Sequence, residues 1–181
     1  MTAPGRPLLF LDVDGPLIPF GGPPPGGYPT FRSPFADTGT GGDPLVSRAD
    51  PAFGPRLLRL PCELVWATTW LEDANACLAP WLGLPQLPVV AWPVEETGDE
   101  TGYADAGPHG LHGLHWKTRT LVARAAGRPF AWVDDEITEA DRRWVAAHSP
   151  APALLHRVDP QRGFTEADFT ALEAWLRAVR A

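Results

Sequence analysis

Two carboxylates one residue apart, Asp12 and Asp14, follow the apolar run Leu8-Leu9-Phe10-Leu11 and precede Gly15-Pro16. Such a run suits a strand buried on both faces, and Gly-Pro forces a turn after it. Side chains alternate along a strand, so Asp12 and Asp14 project one way and Val13 packs on the other side. Two like charges beside apolar surface are costly unless a cation or a shared proton relieves them. The chemistry open to the pair is that of a metal-assisted carboxylate site; the plain alternative is an acidic turn after a strand. A second acidic group, Asp134-Asp135-Glu136, ends the apolar run Phe130-Ala131-Trp132-Val133. Its alternative is a set of helix N-terminal acids favoured by the dipole. The run from Glu63 to Ala67 finishes in the hydroxyls of Thr68 and Thr69, and Lys117 is the only lysine in the chain. A lysine at the start of a helix opposes the dipole, so it wants a partner elsewhere.

These groups need a scaffold that gathers them. Strands are expected at Leu8–Leu11, Glu63–Thr69, Leu87–Trp92, Phe130–Val133 and Ala153–His156. Between them, helices are expected over Ala52–Leu60, Trp70–Leu82, Trp116–Ala126 and from Thr138 to about Ala147. In the second of these Leu71, Ala74, Leu78, Trp81 and Leu82 share a face, with Gly83 as the stop. A last helix is capped by Thr165 and Asp168, stapled by Phe164 and Phe169, and buries Phe169, Leu172, Trp175, Leu176 and Val179. Alternating strands and helices predict an α/β sandwich around a mainly parallel, five-stranded sheet. Ligands in such folds sit beyond the carboxyl ends of the strands, where Asp12, Thr68 and Asp134 converge.

The 181 residues fit one domain, with 44% hydrophobic residues to build its core. Of 22 Pro and 18 Gly, many fall between residues 20 and 56, a stretch read as a lid-like insert anchored by Tyr28, Phe31 and Phe35. The net charge of −7 argues against a duplex-coating surface, though not against a nucleic-acid end as substrate. Cys62 and Cys77 lack metal-ligand spacing and read as two buried thiols. No signal core and no membrane-length apolar run is present, which predicts a soluble cytoplasmic protein without a membrane partner. His109, His112 and His115 recur in Gly-rich sequence without completing a zinc pattern, so a pocket-lining or exposed loop is favoured. The run from Glu95 to Glu100 reads as a solvated loop, and the Trp residues as core.

Taken in order, Asp12-Val13-Asp14-Gly15, Thr68, Lys117 and Asp134-Asp135 resemble the four motifs of the haloacid dehalogenase (HAD) superfamily. Val65-Trp66-Ala67-Thr68-Thr69-Trp70, Trp132-Val133-Asp134-Asp135-Glu136 and the Gly163-Phe164-Thr165 helix start are similar to small actinobacterial HAD-domain hydrolases. The resemblance implies a Rossmann-like three-layer sandwich and a magnesium-dependent phosphohydrolase. It makes Asp12 the nucleophile, Asp14 the acid and base, and Lys117 the cation on the transferring phosphoryl group. It assigns Thr68, with Thr69 and Gly15 beside it, to substrate binding. Asp12, the Asp14 carbonyl, and Asp134 or Asp135 would be the Mg2+ ligands, with Asp134 favoured as the direct one. The substrate is then a small-molecule or end-group phosphoester. The alternatives are a nucleic-acid end phosphatase and a non-catalytic binding or assembly module. Pro16 and the adjacent Asp pair depart from the commonest family pattern, and the irregular insert is no helical cap domain.

Overall fold

The computed structural model describes residues 5–35, 44–93 and 113–180. Its centre is a parallel sheet of four strands, β1 (Leu8–Leu11), β2 (Glu63–Trp66), β3 (Phe130–Asp134) and β4 (Ala153–Arg157), in the order β2-β1-β3-β4. The helices are α1 (Phe53–Arg59), α2 (Ala79–Leu82), α3 (Thr118–Ala125), α4 (Glu139–His148) and α5 (Glu166–Ala178). A π-helical stretch, Ala74–Leu78, leads directly into α2.

Alternation along the strands divides the core into two layers. Leu9, Leu11 and Val13 lie with Trp66 and Val133 against Leu57 of α1, Leu78, Leu82 and the α5 stripe. Leu8 and Phe10 lie with Phe130 and Trp132 against Leu121 and Ala125 of α3 and Val145 of α4. The sheet therefore has helices on both faces. Because β1 pairs with β2 on one side and β3 on the other, the chain reverses its direction of winding at β1. The crevice beyond the carboxyl end of β1 is thus a topological switch point.

The expected fifth strand, Leu87–Trp92, is not one. Among the described residues it makes a single parallel bridge, Val89 to Trp66. Pro88 interrupts the segment, Pro85 and Pro93 flank it, and none of the three has the N–H that a ladder needs. In addition, Asn75 takes both polar groups of Leu87, its Oδ1 accepting from the amide and its Nδ2 donating to the carbonyl, each at 2.9 Å.

The helix expected from Trp70 begins later, because Leu71 adopts a left-handed backbone (φ 48°) and lies exposed instead of facing the core. The last helix has the expected caps: the Asp168 carboxylate accepts from the Thr165 amide, and Phe164 stacks on Phe169 at 4.9 Å. Cys62 is buried as expected, whereas Cys77 is exposed, and both are free thiols. Of the described part of the insert, the Phe31 amide donates to the Ser47 carbonyl and Arg48 lies over the Tyr28 ring. Phe35 packs against Gly83 but stays half exposed. His109, His112 and the Glu95–Glu100 run lie outside the described residues. Among the described residues no helix is long and apolar enough to cross a membrane.

One buried carboxylate fixes where α3 begins. Asp141, in the first turn of α4, accepts from the Thr138 amide and hydroxyl, the His115 amide at 2.8 Å and the Thr118 hydroxyl at 2.6 Å. Burial alone would raise its pKa, but these donors hold it below the ordinary carboxylate value. An amide at this position would turn N–H against N–H. Asp141→Asn is therefore expected to cost about 2–3 kcal/mol at neutral pH, measured by urea unfolding. Since the folded pKa is depressed, this contribution is full above the unfolded carboxylate value of about 4 and is lost as pH falls through the folded value. The stability gap between wild type and Asp141→Asn should narrow below about pH 4; a gap independent of pH would contradict this. A second position is fixed sterically. A Cβ on Gly54 of α1 would stand 1.7 Å from the Leu82 carbonyl oxygen. Gly54→Ala should therefore destabilise by about 2 kcal/mol or more despite alanine's better helix propensity.

Candidate active site

The parallel register carries Asp12 and Asp134 to the same edge of the sheet. Leu11 pairs with Val133, and the Asp12 amide donates to the Val133 carbonyl at 3.1 Å. Asp12 continues the side of Leu8 and Phe10, while Asp134 continues that of Phe130 and Trp132. The helix covering that face is α3, and Lys117 is its N-cap residue. Its ammonium reaches down between the two strand ends and donates to Asp12 Oδ2 and Asp134 Oδ2, each at 2.8 Å. All three residues are buried. The unfavourable dipole position of this lysine is thus offset by two charge-assisted hydrogen bonds.

The charges do not balance. Burial pushes the Asp12 carboxyl up, Lys117 offsets part of that and Asp134 adds to it, leaving a value of about 8. Asp134 is also penalised by burial, but Lys117 and its other donors hold it below the ordinary range. Beside Lys117 the lowering comes from His115 and from the Glu136 amide, which donates at 2.9 Å; the Trp132 indole also reaches the carboxylate, at 3.2 Å, against one backbone donor on Asp12. Burial and the neighbouring Asp134 also raise Asp135, to about 6. Lys117 itself is pushed down by burial but raised further by the Asp12 and Asp134 carboxylates.

Carboxylate oxygens of Asp12, Asp134 and Asp135 lie within 4.8 Å of one another. These are hard oxygen donors, and three acids face one ammonium, so the set suits a divalent cation of the Mg2+ type. The approach is made by glycine: Gly15 has φ +86°, and a Cβ there would lie 2.6 Å from Asp135 Oδ1. No L side chain fits both the backbone angle and the space.

The remaining expected residues are placed as follows. Thr68 is fully buried two residues beyond Trp66, the register partner of Leu11, and so lies at the same edge of the sheet. Thr69 is exposed. Asp14 is half-buried in the turn after β1, where its Oδ2 accepts from the Trp70 indole at 2.9 Å. The Trp70 amide in turn donates to Thr68 Oγ1 at 3.2 Å, and the Trp92 indole to the Thr68 carbonyl at 3.0 Å.

His115 is no pocket-lining or exposed loop residue. It is buried, its Nδ1 accepts from the Lys117 amide at 3.2 Å, and its Nε2 lies 3.1 Å from Glu136 Oε2. That pattern puts the ring proton on Nε2, and burial lowers the His115 pKa. The ring supports the backbone that carries Lys117. Trp70 and Trp132 are the site's unforeseen members, while the sequence offers Asp141 only as a helix cap and His115 only as a loop residue. Indole spacing in the sequence resembles core packing, and only the closeness of Trp70 to Thr68 and of Trp132 to Asp134 hints otherwise.

Residues 8–169 match the family model described as "HAD domain in Swiss Army Knife RNA repair proteins". No curated protein matches the chain, and no solved structure does. The matched span runs from the first residue of β1 into α5 and contains every residue of the carboxylate–lysine cluster, and the chain belongs to this HAD-superfamily family.

Proposed function

We propose that the chain is a magnesium-dependent phosphomonoesterase that works through a phosphoaspartate on Asp12. The observation that carries this reading is the Lys117 ammonium at 2.8 Å from both Asp12 and Asp134 at the edge of a parallel sheet. A bland acidic turn has no use for a buried lysine. Family membership supports hydrolysis by a HAD-type enzyme.

Asp12, Asp134 and Asp135, with the carbonyl of Asp14, would hold Mg2+. The bound ion supplies positive charge that lets a dianionic phosphate enter an acidic crevice and keeps Asp12 ionised. In the first step a carboxylate oxygen of Asp12 bonds to phosphorus and the ester P–O bond breaks. Its electron pair stays on the leaving oxygen, which takes the proton of Asp14. In the second step water attacks phosphorus, Asp14 takes the water's proton, and the Asp12–phosphorus bond breaks to release inorganic phosphate. Lys117 steadies charge on the phosphoryl group and on Asp12, and Thr68 donates to a phosphoryl oxygen. Gly15 lets Asp135 approach, and Thr69 stands at the rim.

A phosphorylated RNA end is a second substrate reading, favoured by the family's printed description and opposed by the acidic balance of the chain. A non-catalytic module is disfavoured, since it would keep an unbalanced carboxylate cluster without use for it.

Phosphate release from p-nitrophenyl phosphate, small phosphate esters and an end-phosphorylated oligoribonucleotide tests these readings together. Asp12→Asn should abolish turnover of every substrate hydrolysed. Lys117→Met should lower kcat by about 100-fold or more, in line with the loss of one electrostatic stabiliser. An Asp12→Asn protein as active as wild type would sink the phosphoaspartate reading. If wild type hydrolyses nothing on the panel with Mg2+, the module reading takes its place. With Asp14→Asn, an activated ester should still phosphorylate Asp12, but the phosphoenzyme should accumulate, read by mass spectrometry of the quenched protein. Steady-state release as fast as wild type would remove Asp14 from its role.

A further inference from the structure

We propose that Trp70 is a positioning residue for the acid–base carboxyl, holding Asp14 by a single indole hydrogen bond; this rests on the phosphomonoesterase reading above. An indole N–H can only donate, and at 2.9 Å from Asp14 Oδ2 it fixes the direction in which that carboxyl points. The donor is an uncharged N–H. Lys117, by contrast, holds Asp12 and Asp134 with a full charge.

Two further features show that Trp70 is itself fixed. Its amide donates to Thr68 Oγ1, so one residue ties the turn after β1 to the end of β2. Its ring packs partly buried against the apolar core of the β1–α5 face. Directly after it, Leu71 takes a left-handed backbone with φ 48°. That conformation is costly for a residue with a side chain, and here it turns the chain away while Trp70 keeps its place. Asp14 stands in a turn, not on a strand, and bridges only to Ile18. Without the indole its carboxyl would have the ordinary torsional freedom of an aspartate. A displaced general acid matters most where the leaving oxygen needs its proton.

The test is a comparison of leaving groups. An alkyl phosphate leaves as a poor alkoxide and depends on proton donation, whereas p-nitrophenolate leaves well without it. Trp70→Phe should lower the ratio of kcat for the alkyl ester to kcat for p-nitrophenyl phosphate by about tenfold or more, with KM moving less than kcat. Trp70→His, which returns a ring N–H, should recover part of that ratio. Asp14→Asn should lower the ratio further, and adding Trp70→Phe to it should change the ratio by less than about threefold. A general loss of structure would lower both substrates together and leave the ratio where it was. If Asp14→Asn does not move the ratio, the acid–base role of Asp14 fails. If Asp14→Asn moves it and folded Trp70→Phe does not, the positioning role of Trp70 is overturned. Should Trp70→Phe not fold, the wild-type protein decides. The assigned Trp70 indole resonance should be protected from solvent exchange and should shift in Asp14→Asn. An indole resonance indifferent to that substitution overturns the proposal.

Discussion

The rest of the structure depends on one buried ammonium shared between two carboxylates. Asp12 and Asp134 arrive side by side because β1 and β3 are parallel and in phase, with Leu11 opposite Val133. Two unit charges about 5 Å apart at an effective dielectric near 20 repel by ~3 kcal/mol, before any desolvation cost is added. Lys117 turns that repulsion into two hydrogen bonds of 2.8 Å. A threefold acid cluster with one cation remains negative all the same, and burial, with Asp134 adding to it against Lys117, pushes the Asp12 carboxyl up to about 8. Carboxylate oxygens of Asp12, Asp134 and Asp135 lie close enough together to hold a metal ion.

Holding a lysine at this point requires fixing the start of α3, and the chain does so with buried polar groups. Asp141 accepts from the His115 amide and the Thr118 hydroxyl, residues on either side of Lys117. His115 accepts the Lys117 amide through Nδ1 and meets Glu136 through Nε2. Glu136 in turn gives its amide to Asp134. The loop after β3 and the loop before α3 are therefore one hydrogen-bonded unit. Each of its buried members has a partner, which is the condition under which such a network stabilises.

What can be read in the sequence follows from how local each signal is. Asp12, Thr68 and Asp134 end apolar runs, and the phase of a strand needs no knowledge of its neighbours. Lys117 stands out as the only lysine, placed against a helix dipole. The capping boxes at Thr138 and Thr165 are local in the same sense. The fifth strand does not form because β-like residues around Val89 are outvoted by prolines and by the side chain of Asn75, twelve residues before Leu87. Leu71 escapes the helical pattern because spacing says nothing of a left-handed residue. Asp141 is legible as a cap, but its bonds to His115 and Thr118, 23 or more residues away, are not. Trp70 is hidden for the same reason: its partner Asp14 lies 56 residues off.

The two aspartates at the head of the chain's first turn show how neighbours give chemically identical groups different surroundings. Two residues apart, they meet different partners because they leave the sheet at different points. Asp12 remains in register with β3 and is reached from α3, so its partner is a charge. Asp14 lies beyond the last ladder bond of β1, is reached from the end of β2, and its partner is a neutral donor. An ammonium favours the ionised form of a carboxyl that it touches. An indole N–H donates to a carboxyl oxygen without bringing a charge of its own. The distinction is set by which element supplies the partner, α3 for Asp12 and the end of β2 for Asp14, so that topology, more than the acidic motif itself, gives each carboxylate its surroundings.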